Sequence, residues 1–281
     1  MREKRAIADL SSKENRVLDL DHVVKVATNA ARKAGDIQRE KFGGVLNVDK
    51  RMRNDLKLET DRLCEASLVG DVRAAFPDHA ILAEEGGAAF GEEYIWYIDP
   101  LDGTVNFYYG VPHFCTTLAC YRRTGPDDDG IRGMGEPLVG VTYAPLQDEL
   151  FIGVVGQKAT MNGRRITVRE EPNIEETLLL TAISLYPEKY DFTMNRLLPL
   201  AARITRVRSV GACAYDLACV AMGRGSAFCE YGVHAWDHAA GWAIIKAAGG
   251  SYSAWPTPEK KWLVAASGKT IHADLVAAVH G

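Results

Sequence analysis

Apolar residues recur at helical spacing over the first quarter of the chain. Between residues 20 and 42 they fall three or four positions apart, which predicts an amphipathic helix that ends at the following Gly-Gly pair. A second segment with this pattern covers residues 60–76 and stops before a proline. The stretch between them, NVDKRMRNDLKLE, shows no clear period, and we predict a loop there.

Short apolar runs replace this pattern in the middle of the chain. They read, in order, AILAEE, YIWYID, FCTTLACYRR, LVGVTYAP, ELFIGVV and RITVRE. The first two read as short buried strands. Turn-like segments join the later runs, which predicts a series of hairpins and therefore antiparallel pairing.

From residue 177 onward, predicted strands alternate with predicted helices. The strands cover TLLLTAI and residues 206–209, 227–230 and 262–266, and the helices cover residues 195–202, 212–222, 237–248 and the segment from residue 273. Strands in a run, followed by strands that alternate with helices, indicate an α+β protein in which sheets and helices stack in layers.

Composition and charge narrow the function classes. The 281 residues are 47% hydrophobic and 25% charged, with a formal net charge of −4, as in an ordinary globular protein. This mild acidity, without a basic run, argues against nucleic acid as the main partner. The chain nowhere reaches about 18 uninterrupted apolar residues, so we predict no membrane span.

The N-terminal sequence and the cysteines predict a cytoplasmic protein. The first residues carry no apolar segment of a signal peptide, and we predict a flexible polar segment over residues 1–18. The six cysteines are scattered, without a CxxC pair or a zinc-like spacing. We therefore predict reduced thiols that mostly fill the core.

The stretch WYIDPLDGTVNF places two aspartates at the end of an apolar run. Asp99 follows the predicted strand, at a place where layered α/β proteins bind ligands, and Asp102 comes three positions later. Pro100 lacks an N–H group, so we predict that the strand ladder ends there. The Leu101 carbonyl is then free of strand pairing and faces the same side as the two carboxylates.

Gly103 and Thr104 complete this motif. Glycine permits a tight turn, and Thr104 is predicted to cap a short helix, so that the amides of both residues point toward the carboxylates. Helix N-termini favour phosphate and paired carboxylates favour a metal ion, which suggests a combined metal and phosphate site. From these residues alone two alternatives stay open: plain Asp-Pro and Asp-Gly turns, and the haloacid-dehalogenase phosphatases, whose aspartates lie two rather than three positions apart.

Other carboxylates stand at comparable places. Glu84 and Glu85 follow a predicted strand and precede a Gly-Gly pair. Asp61 and Asp237 each stand at the start of a predicted helix. Taken singly, each of these acids also has a purely structural interpretation, as part of a solvated turn or as a favourable charge at a helix N-terminus.

Three motifs together indicate a family. AEEGG, WYIDPLDGTVNF and WDHAAGWAIIKAAGG occur in the order and spacing of the signature motifs of the inositol monophosphatase family. From about residue 20 onward the chain resembles this family of magnesium-dependent, lithium-sensitive sugar phosphatases. The resemblance implies a layered αβαβα sandwich of the inositol monophosphatase and fructose-1,6-bisphosphatase type, and a homodimer. It implies one catalytic unit over residues 19–281, with an N-terminal α+β part to about residue 180 and a C-terminal α/β part beyond it.

The resemblance also implies ligands for two magnesium ions, with a third, weaker ion near Glu84. The first ion would bind Glu84, Asp99 and the Leu101 carbonyl. The second ion would bind Asp99, Asp102 and Asp237. Oxygen ligands of this kind suit Mg²⁺, with Mn²⁺ as an alternative, and disfavour zinc.

Catalytic roles follow from the same resemblance. It implies that the amides of Gly103 and Thr104 bind phosphate. It implies a catalytic group of Glu84, Thr104 and Asp61, in which Thr104 and Asp61 orient the attacking water. Paired divalent ions lower the pKa of such a water and neutralise the phosphate oxygens, so no cysteine or serine nucleophile is needed.

The substrate-binding residues match the family only in part. Glu230 matches the acid that binds inositol hydroxyls; without that match it would be interpreted as a surface residue or as a partner of Arg224. Gly211, Ala212 and Cys213 occupy the region that touches the alcohol part of the substrate, and they depart from the common Gly-Ser/Thr-Ala pattern.

The sequence therefore predicts a Mg²⁺-dependent phosphomonoesterase that hydrolyses inositol monophosphate to inositol and phosphate with a metal-activated water. Fructose 1,6-bisphosphate, histidinol phosphate and 3′-phosphoadenosine 5′-phosphate are alternative substrates for the same chemistry. A regulatory binding protein of the same fold is a second class of function. The intact set of carboxylates favours an enzyme, and the lack of a basic run disfavours nucleic acid as a partner.

Overall fold

A computed structural model describes residues 18–51, 56–89, 93–126, 128–130 and 132–280 of the chain. Residues 1–17, which make up almost all of the segment predicted to be flexible, lie outside the described residues. No described helix is both long enough and apolar enough to cross a membrane.

Both N-terminal helical patterns form helices: α1 spans Leu20–Lys41 and α2 spans Glu59–Ala75. The Asp19 side chain caps α1 by accepting hydrogen bonds from the amides of Asp21 and His22. Small residues, mainly alanine, make up most of the buried stripe of α1, so this helix packs closely on α2 and on the neighbouring sheet.

The connection between these helices is a hairpin rather than the predicted loop. β1 (Val48–Arg51) pairs antiparallel with β2 (Leu56–Leu58). Leu56 and Leu58 are buried, and Lys57 between them points to the opposite face. This period of two extends over only three residues, which is too short to identify a strand from the sequence.

The apolar runs in the middle of the chain form an eight-stranded sheet, and the predicted antiparallel pairing of the later runs is confirmed. The strands are β3 (Ala80–Ala83), β4 (Gly87–Ala89), β5 (Tyr94–Asp102), β6 (Cys115–Arg122), β7 (Glu136–Ala144), β8 (Glu149–Val154), β9 (Ala159–Met161) and β10 (Arg164–Ile166). They lie in the order β10-β9-β8-β7-β6-β5-β3-β4, and β3 and β5 are parallel. β5 is buried along its whole length, as expected of an inner strand.

The C-terminal part forms a second sheet of five strands. They are β11 (Leu178–Leu180), β12 (Arg206–Arg208), β13 (Ala227–Val233), β14 (Ser251–Pro256) and β15 (Trp262–Ser267). The order is β12-β11-β13-β15-β14, with β11 parallel to both of its neighbours and the other pairs antiparallel. The sequence prediction omits β14, because this edge strand is half-buried along most of its length and shows no alternation of buried and exposed residues.

The predicted helices of this part are present with shifted boundaries. Apart from α3 (Thr104–Tyr108), which lies between β5 and β6, the further helices belong to this part. They are α4 (Pro187–Phe192), α5 (Leu198–Ala201), α6 (Cys213–Ala221), α7 (Ala235–Ala247) and α8 (Lys269–His280). A π-helical turn, Thr193–Leu197, joins α4 to α5, so the helical region predicted at 195–202 begins at residue 187 instead.

Helices and sheets stack in five layers. α1 and α2 cover one face of the eight-stranded sheet, α6 and α7 lie between the two sheets, and α8 covers the outer face of the five-stranded sheet with the π-helical turn. The predicted αβαβα sandwich is therefore confirmed. All six cysteines are buried and have free thiols, also as predicted. The division of the chain near residue 180 stays a prediction.

Two glycines bring α7 close to the eight-stranded sheet. A Cβ atom at Gly140 of β7 would lie 2.4 Å from the carbonyl oxygen of Ala240, and one at Gly153 of β8 would lie 2.5 Å from Cα of Ile244. Side chains do not approach backbone that closely, so this contact requires glycine. The packing places the first turn of α7, with Asp237, at the cleft formed by the end of β5.

Candidate active site

The end of β5 contains an irregularity where the sequence predicts the end of the ladder. Asp99 pairs with Thr117 of β6, and pairing resumes between Asp102 and Cys115. Three residue steps on β5 therefore match two on β6, which is a β-bulge. The prediction that the ladder ends at Pro100 is wrong, because the strand accommodates the missing N–H group within the bulge and then continues.

Hydrogen bonds hold this bulge from three sides. The Leu101 amide donates to Oδ1 of Asp99 at 3.0 Å. The Pro100 carbonyl accepts a hydrogen bond from Nε2 of Gln38 on α1 at 2.8 Å. The Leu101 carbonyl, predicted to be free of strand pairing, accepts one from the Thr104 hydroxyl at 2.9 Å. The positions of the acid and of the carbonyl are therefore fixed by the fold before any ligand binds.

Gly103 makes the turn from β5 into α3. It has a φ of 90° and stands at the N-cap of the helix. A Cβ atom there would lie 3.0 Å from the His113 carbonyl oxygen and 3.2 Å from Cβ of Ala212, so both conformation and space require glycine. The prediction that Thr104 caps the helix is wrong. Gly103 occupies the N-cap and Thr104 is the first helical residue; the Thr104 hydroxyl bonds to a carboxylate and a carbonyl outside α3 instead of capping the helix.

Asp61 lies in the first turn of α2 and is buried. Its Oδ2 accepts a hydrogen bond from the Leu58 amide at 3.0 Å, and its Oδ1 lies 3.0 Å from the Thr104 hydroxyl, whose single proton is shared between this carboxylate and the Leu101 carbonyl. Burial and the nearby charge of Glu84 raise the pKa of Asp61 to about 7, although both hydrogen bonds favour the ionised form. A carboxyl that titrates near neutrality and holds a hydroxyl is suited to orienting a water molecule.

Two further aspartates bind amides at helix N-termini. Oδ2 of Asp102 accepts hydrogen bonds from the amides of Ala214 and Tyr215, in the first turn of α6, at 2.9 and 3.3 Å. Oδ2 of Asp237, in the first turn of α7, accepts one from the His234 amide at 2.7 Å. Each carboxylate is therefore oriented by backbone amides through one of its oxygens, which also stabilises the helix N-terminus.

Five acids line one cleft of about 280 Å³, and four of them belong to the predicted metal site: Glu84, Asp99, Asp102 and Asp237. Burial and mutual repulsion raise the pKa values of Asp99 and Asp237 well above the usual value for aspartate, and burial raises that of Asp102 to about 7. A divalent cation relieves such repulsion, and carboxylate and carbonyl oxygens are the ligands that Mg²⁺ and Mn²⁺ prefer. The residues present therefore fit the metal ions that the resemblance implies.

This cleft gathers most of the site residues predicted from the sequence. Its lining includes Glu84, Asp99, Leu101, Asp102, Gly103, Thr104, Gly211, Cys213, Glu230 and Asp237. Asp61 lies behind Thr104, and Ala212 packs against Gly103 rather than lining the cleft. The lining also includes Lys189, which the sequence analysis did not single out.

Glu230 on β13 is buried at the wall of the cleft, with its Oε1 3.6 Å from Nζ of Lys189. Burial raises the pKa of Glu230, while the charge of Lys189 opposes this shift. Arg224, the alternative partner considered from the sequence, instead binds Glu149 at 2.5 Å. A Cβ atom at Gly232 would lie 2.9 Å from Cε of Lys189, so the glycine leaves room for the lysine. The pair presents a hydrogen-bond acceptor and a donor side by side.

Besides Lys189, sequence reasoning missed two residues that organise the site. Nδ2 of Asn106 donates to the carbonyls of His113 and Val210 at 2.8 and 2.9 Å, and so joins α3 to the segment before Gly211. Lys57 contacts both glutamates that follow β3. The only sequence signal for Lys57 is its place between two leucines, which puts it on the opposite face of a strand.

Comparisons with known proteins agree with the motifs. Residues 19–281 match the model of the inositol monophosphatase family. The chain is 35% identical over 240 residues to Nus factor SuhB of Pseudomonas aeruginosa, covering 82% of this chain and 84% of that protein. It is 36% identical over 239 residues to Inositol monophosphatase 3 of Solanum lycopersicum, covering 82% of this chain and 85% of that protein.

Solved structures share the five-layered fold. The extragenic suppressor protein suhB of Bartonella henselae matches with a TM-score of 0.80 and 30% identity, covering 92% of this chain and 98% of that chain. The inositol monophosphatase of Anabaena (Nostoc) sp. PCC 7120 matches with a TM-score of 0.76 and 32% identity, covering 93% and 96%. The sequence motifs, the helices and strands of the fold and the residues of the acidic cleft all lie in the part of the chain that these matches cover. The chain therefore belongs to the inositol monophosphatase family.

Proposed function

We propose that this protein is a metal-dependent phosphomonoesterase that hydrolyses inositol monophosphate to inositol and phosphate. Membership of the family supports a phosphatase that acts on phosphorylated small molecules. The observation that carries the proposal is the convergence of Glu84, Asp99, Asp102 and Asp237 on one cleft, beside the start of α3. We include a homodimer, inhibition by lithium and a cytoplasmic location in this proposal, as the family resemblance and the sequence suggest.

The acidic cleft would hold two or three Mg²⁺ ions, with Mn²⁺ as an alternative. Glu84, Asp99 and the Leu101 carbonyl would hold the first ion, and Asp99 would share the second with Asp102 and Asp237. Bound there, the ions would supply an activated water, charge neutralisation at the phosphate and stabilisation of the leaving oxygen. The buried carboxylates contribute by being already oriented, since backbone amides fix Asp99, Asp102 and Asp237 in place.

The start of α3 would bind the phosphate and orient the water. The first hydrogen bond within α3 runs from the Phe107 amide to the Gly103 carbonyl, so the amides of Gly103 and Thr104 precede the helical ladder. Such amides suit a phosphate oxygen. The Thr104 hydroxyl would accept a hydrogen bond from the water while it donates its own hydrogen bond to Asp61.

The part of the wall that holds Glu230 and Lys189 would recognise the alcohol part of the substrate. Glu230 accepts hydrogen bonds and Lys189 donates them, at a separation of 3.6 Å. Two neighbouring hydroxyls of a polyol ring would satisfy this pair, one as donor and the other as acceptor. Gly211 and Cys213 would shape the rest of this wall.

A second candidate is a regulatory binding function on the same fold. It is supported by a relative named Nus factor SuhB, whose identity to this chain is similar to that of relatives named inositol monophosphatase. The buried carboxylates favour the enzyme. Four buried acids repel one another when no cation is bound, and a protein that did not use them to bind metal ions would only be destabilised by them.

Phosphate release from a panel of substrates tests the proposal. The panel comprises inositol monophosphate, fructose 1,6-bisphosphate, histidinol phosphate and 3′-phosphoadenosine 5′-phosphate, each with Mg²⁺, with EDTA, and with Mg²⁺ plus Li⁺. We expect the highest kcat/KM for inositol monophosphate, loss of turnover in EDTA and inhibition by Li⁺. Preference for another member of the panel would correct the substrate, and no release from any of them would favour the binding function.

A further inference from the structure

Lys57 reaches the acidic cluster from the hairpin of β1 and β2. Its pairing with Lys50 across the hairpin sets its register, and its side chain is only 18% exposed. The Lys57 Nζ atom contacts Oε1 of Glu84 and lies 2.5 Å from Oε1 of Glu85. One ammonium group therefore binds both of the adjacent glutamates.

These glutamates belong to a group of acids with the spacing of a metal site. One carboxylate oxygen from each of Asp61, Glu84 and Glu85 lies within 4.8 Å of the other two. The Asp61 carboxylate is held in this position by the Leu58 amide and the Thr104 hydroxyl. Three carboxylates at this separation repel one another unless a cation lies among them.

The ammonium of Lys57 supplies that cation and keeps its charge. Its Nζ atom contacts one carboxylate oxygen of each glutamate, and two anionic partners at this distance favour the charged form of the amine. A cation that is covalently attached to the chain is also present at any concentration of free metal.

Lys57 approaches Glu84 from outside the cleft. Glu84 lines the cleft together with Asp99 and Asp237, whereas Lys57 and Glu85 are not among its lining residues. Glu84 therefore contacts the ammonium and also lines the cleft. The ammonium binds a carboxylate that the proposed function assigns to the first ion, without itself lining the cleft.

We propose that the ammonium of Lys57 takes the place of a divalent ion among Asp61, Glu84 and Glu85, so that the site holds two divalent ions rather than three. The inference rests on the proposed function, because it concerns the number of ions at the same site. Lys57 is a positioning residue: it holds Glu84 at the edge of the cleft and neutralises charge that a further ion would otherwise neutralise.

The test counts bound ions and does not depend on turnover. Metal-free protein is titrated with Mn²⁺, and the free ion is followed by its electron paramagnetic resonance signal. The wild type should saturate with two Mn²⁺ per chain and Lys57→Met with three, because methionine fills similar space without the charge. Lys33→Met is the matched control, since Lys33 pairs with Asp71 at 2.8 Å on α1 and α2, and its removal should leave the count at two.

A second substitution makes the result specific to the acidic group. In the double variant Lys57→Met with Glu85→Gln, the extra ion loses a ligand and the count should return to two. Equal counts for the wild type and Lys57→Met, or three ions in the wild type, would overturn the inference. So would a Lys57→Met chain that stays unfolded when Mn²⁺ is added, because an ion that replaces the ammonium must restore the fold. A wild type that binds no Mn²⁺ would overturn the proposed function itself.

Discussion

Replacing Thr104 with valine removes one hydroxyl and keeps the shape of the side chain. In the wild type this buried hydroxyl lies 3.0 Å from Oδ1 of Asp61 and 2.9 Å from the Leu101 carbonyl oxygen. The Thr104→Val chain keeps both acceptors in place and takes away their shared partner. The perturbation therefore isolates the contact through which Asp61 would act on the attacking water.

The hydrogen bond that is lost sets the expected size of the effect on the rate. A hydrogen bond to a charged group contributes about 1.5–3 kcal/mol, which corresponds to a rate loss of roughly 10- to 150-fold if it is realised in the transition state. A water that is no longer oriented for proton transfer adds to this loss, since positioned general bases contribute about 10²–10⁴-fold. We expect kcat of Thr104→Val to fall by about 100-fold or more, with KM changed by less than roughly threefold.

Steady-state phosphate release with saturating Mg²⁺ measures the loss, and thermal unfolding measures the accompanying change in stability. Thr177→Val is the matched control, because the Thr177 hydroxyl is buried and has no hydrogen-bond partner among the described residues. It should leave activity unchanged and raise rather than lower the stability, because it removes a buried hydroxyl that lacks a partner. If Thr104→Val kept kcat within about threefold of the wild type, the Thr104–Asp61 contact would have no part in the chemistry.

Three further perturbations test the rest of the site. Asp99→Asn should lower kcat at least about 100-fold, because both implied ions share this ligand, while the metal-free protein keeps its stability because one repelling charge is gone. Mg²⁺ should raise Tm more at about pH 7.5 than at about pH 5.5. The pKa of Asp102 is raised from 3.8 to about 7 in the folded state, so the metal-free protein loses stability as pH rises through that value, where Mg²⁺ binds the ionised acids best. Glu230→Ala should lower kcat/KM for inositol monophosphate roughly 10- to 100-fold and leave p-nitrophenyl phosphate, which has no hydroxyl pair, almost unchanged.

Each of these expectations has a contradicting result. Near wild-type turnover of Asp99→Asn would remove that residue from the metal site. A rise in Tm that is the same at both pH values would mean that the acids are ionised throughout that range. Equal losses on both substrates would assign Glu230 to the metal site or the scaffold, and no loss on either would exclude an inositol phosphate as the substrate.

The sequence predicts well the helices that carry a long hydrophobic period and the strands that form from apolar runs. α1 and α2 follow from the first pattern and β5 to β8 from the second, within a few residues. Short elements are not predicted from the sequence, because three residues such as Leu56–Leu58 do not establish a hydrophobic period. The helical region before residue 201 extends further than predicted, since Pro187 starts a helix there rather than ending one.

The acids of the site were predictable because each stands at a strand end or a helix start and together they form recognisable motifs. Their basic partners were not. Lys189 meets Glu230 only because the five-stranded sheet and the helical region before it pack together, and Lys57 meets Glu84 only because a hairpin folds over the end of β3. Contacts between residues far apart in the chain leave no periodic signal in one sequence. The bulge at Pro100 is a similar case, because the register of β6 decides it.

The amide bonds to the buried aspartates bear on which ion the cleft selects. Oδ1 of Asp99, Oδ2 of Asp102 and Oδ2 of Asp237 each accept a backbone N–H group. An oxygen that accepts one N–H group keeps a second lone pair for a metal ion, so these bonds leave the carboxylates able to coordinate but fix the directions in which they point. Ca²⁺ takes six to eight oxygens in a flexible geometry, whereas Mg²⁺ demands a near-ideal octahedron of six, several of them from water. In the proposed enzyme, ligands whose orientation is fixed by two helices and a bulge would therefore suit the ion with the stricter geometry, Mg²⁺, better than calcium.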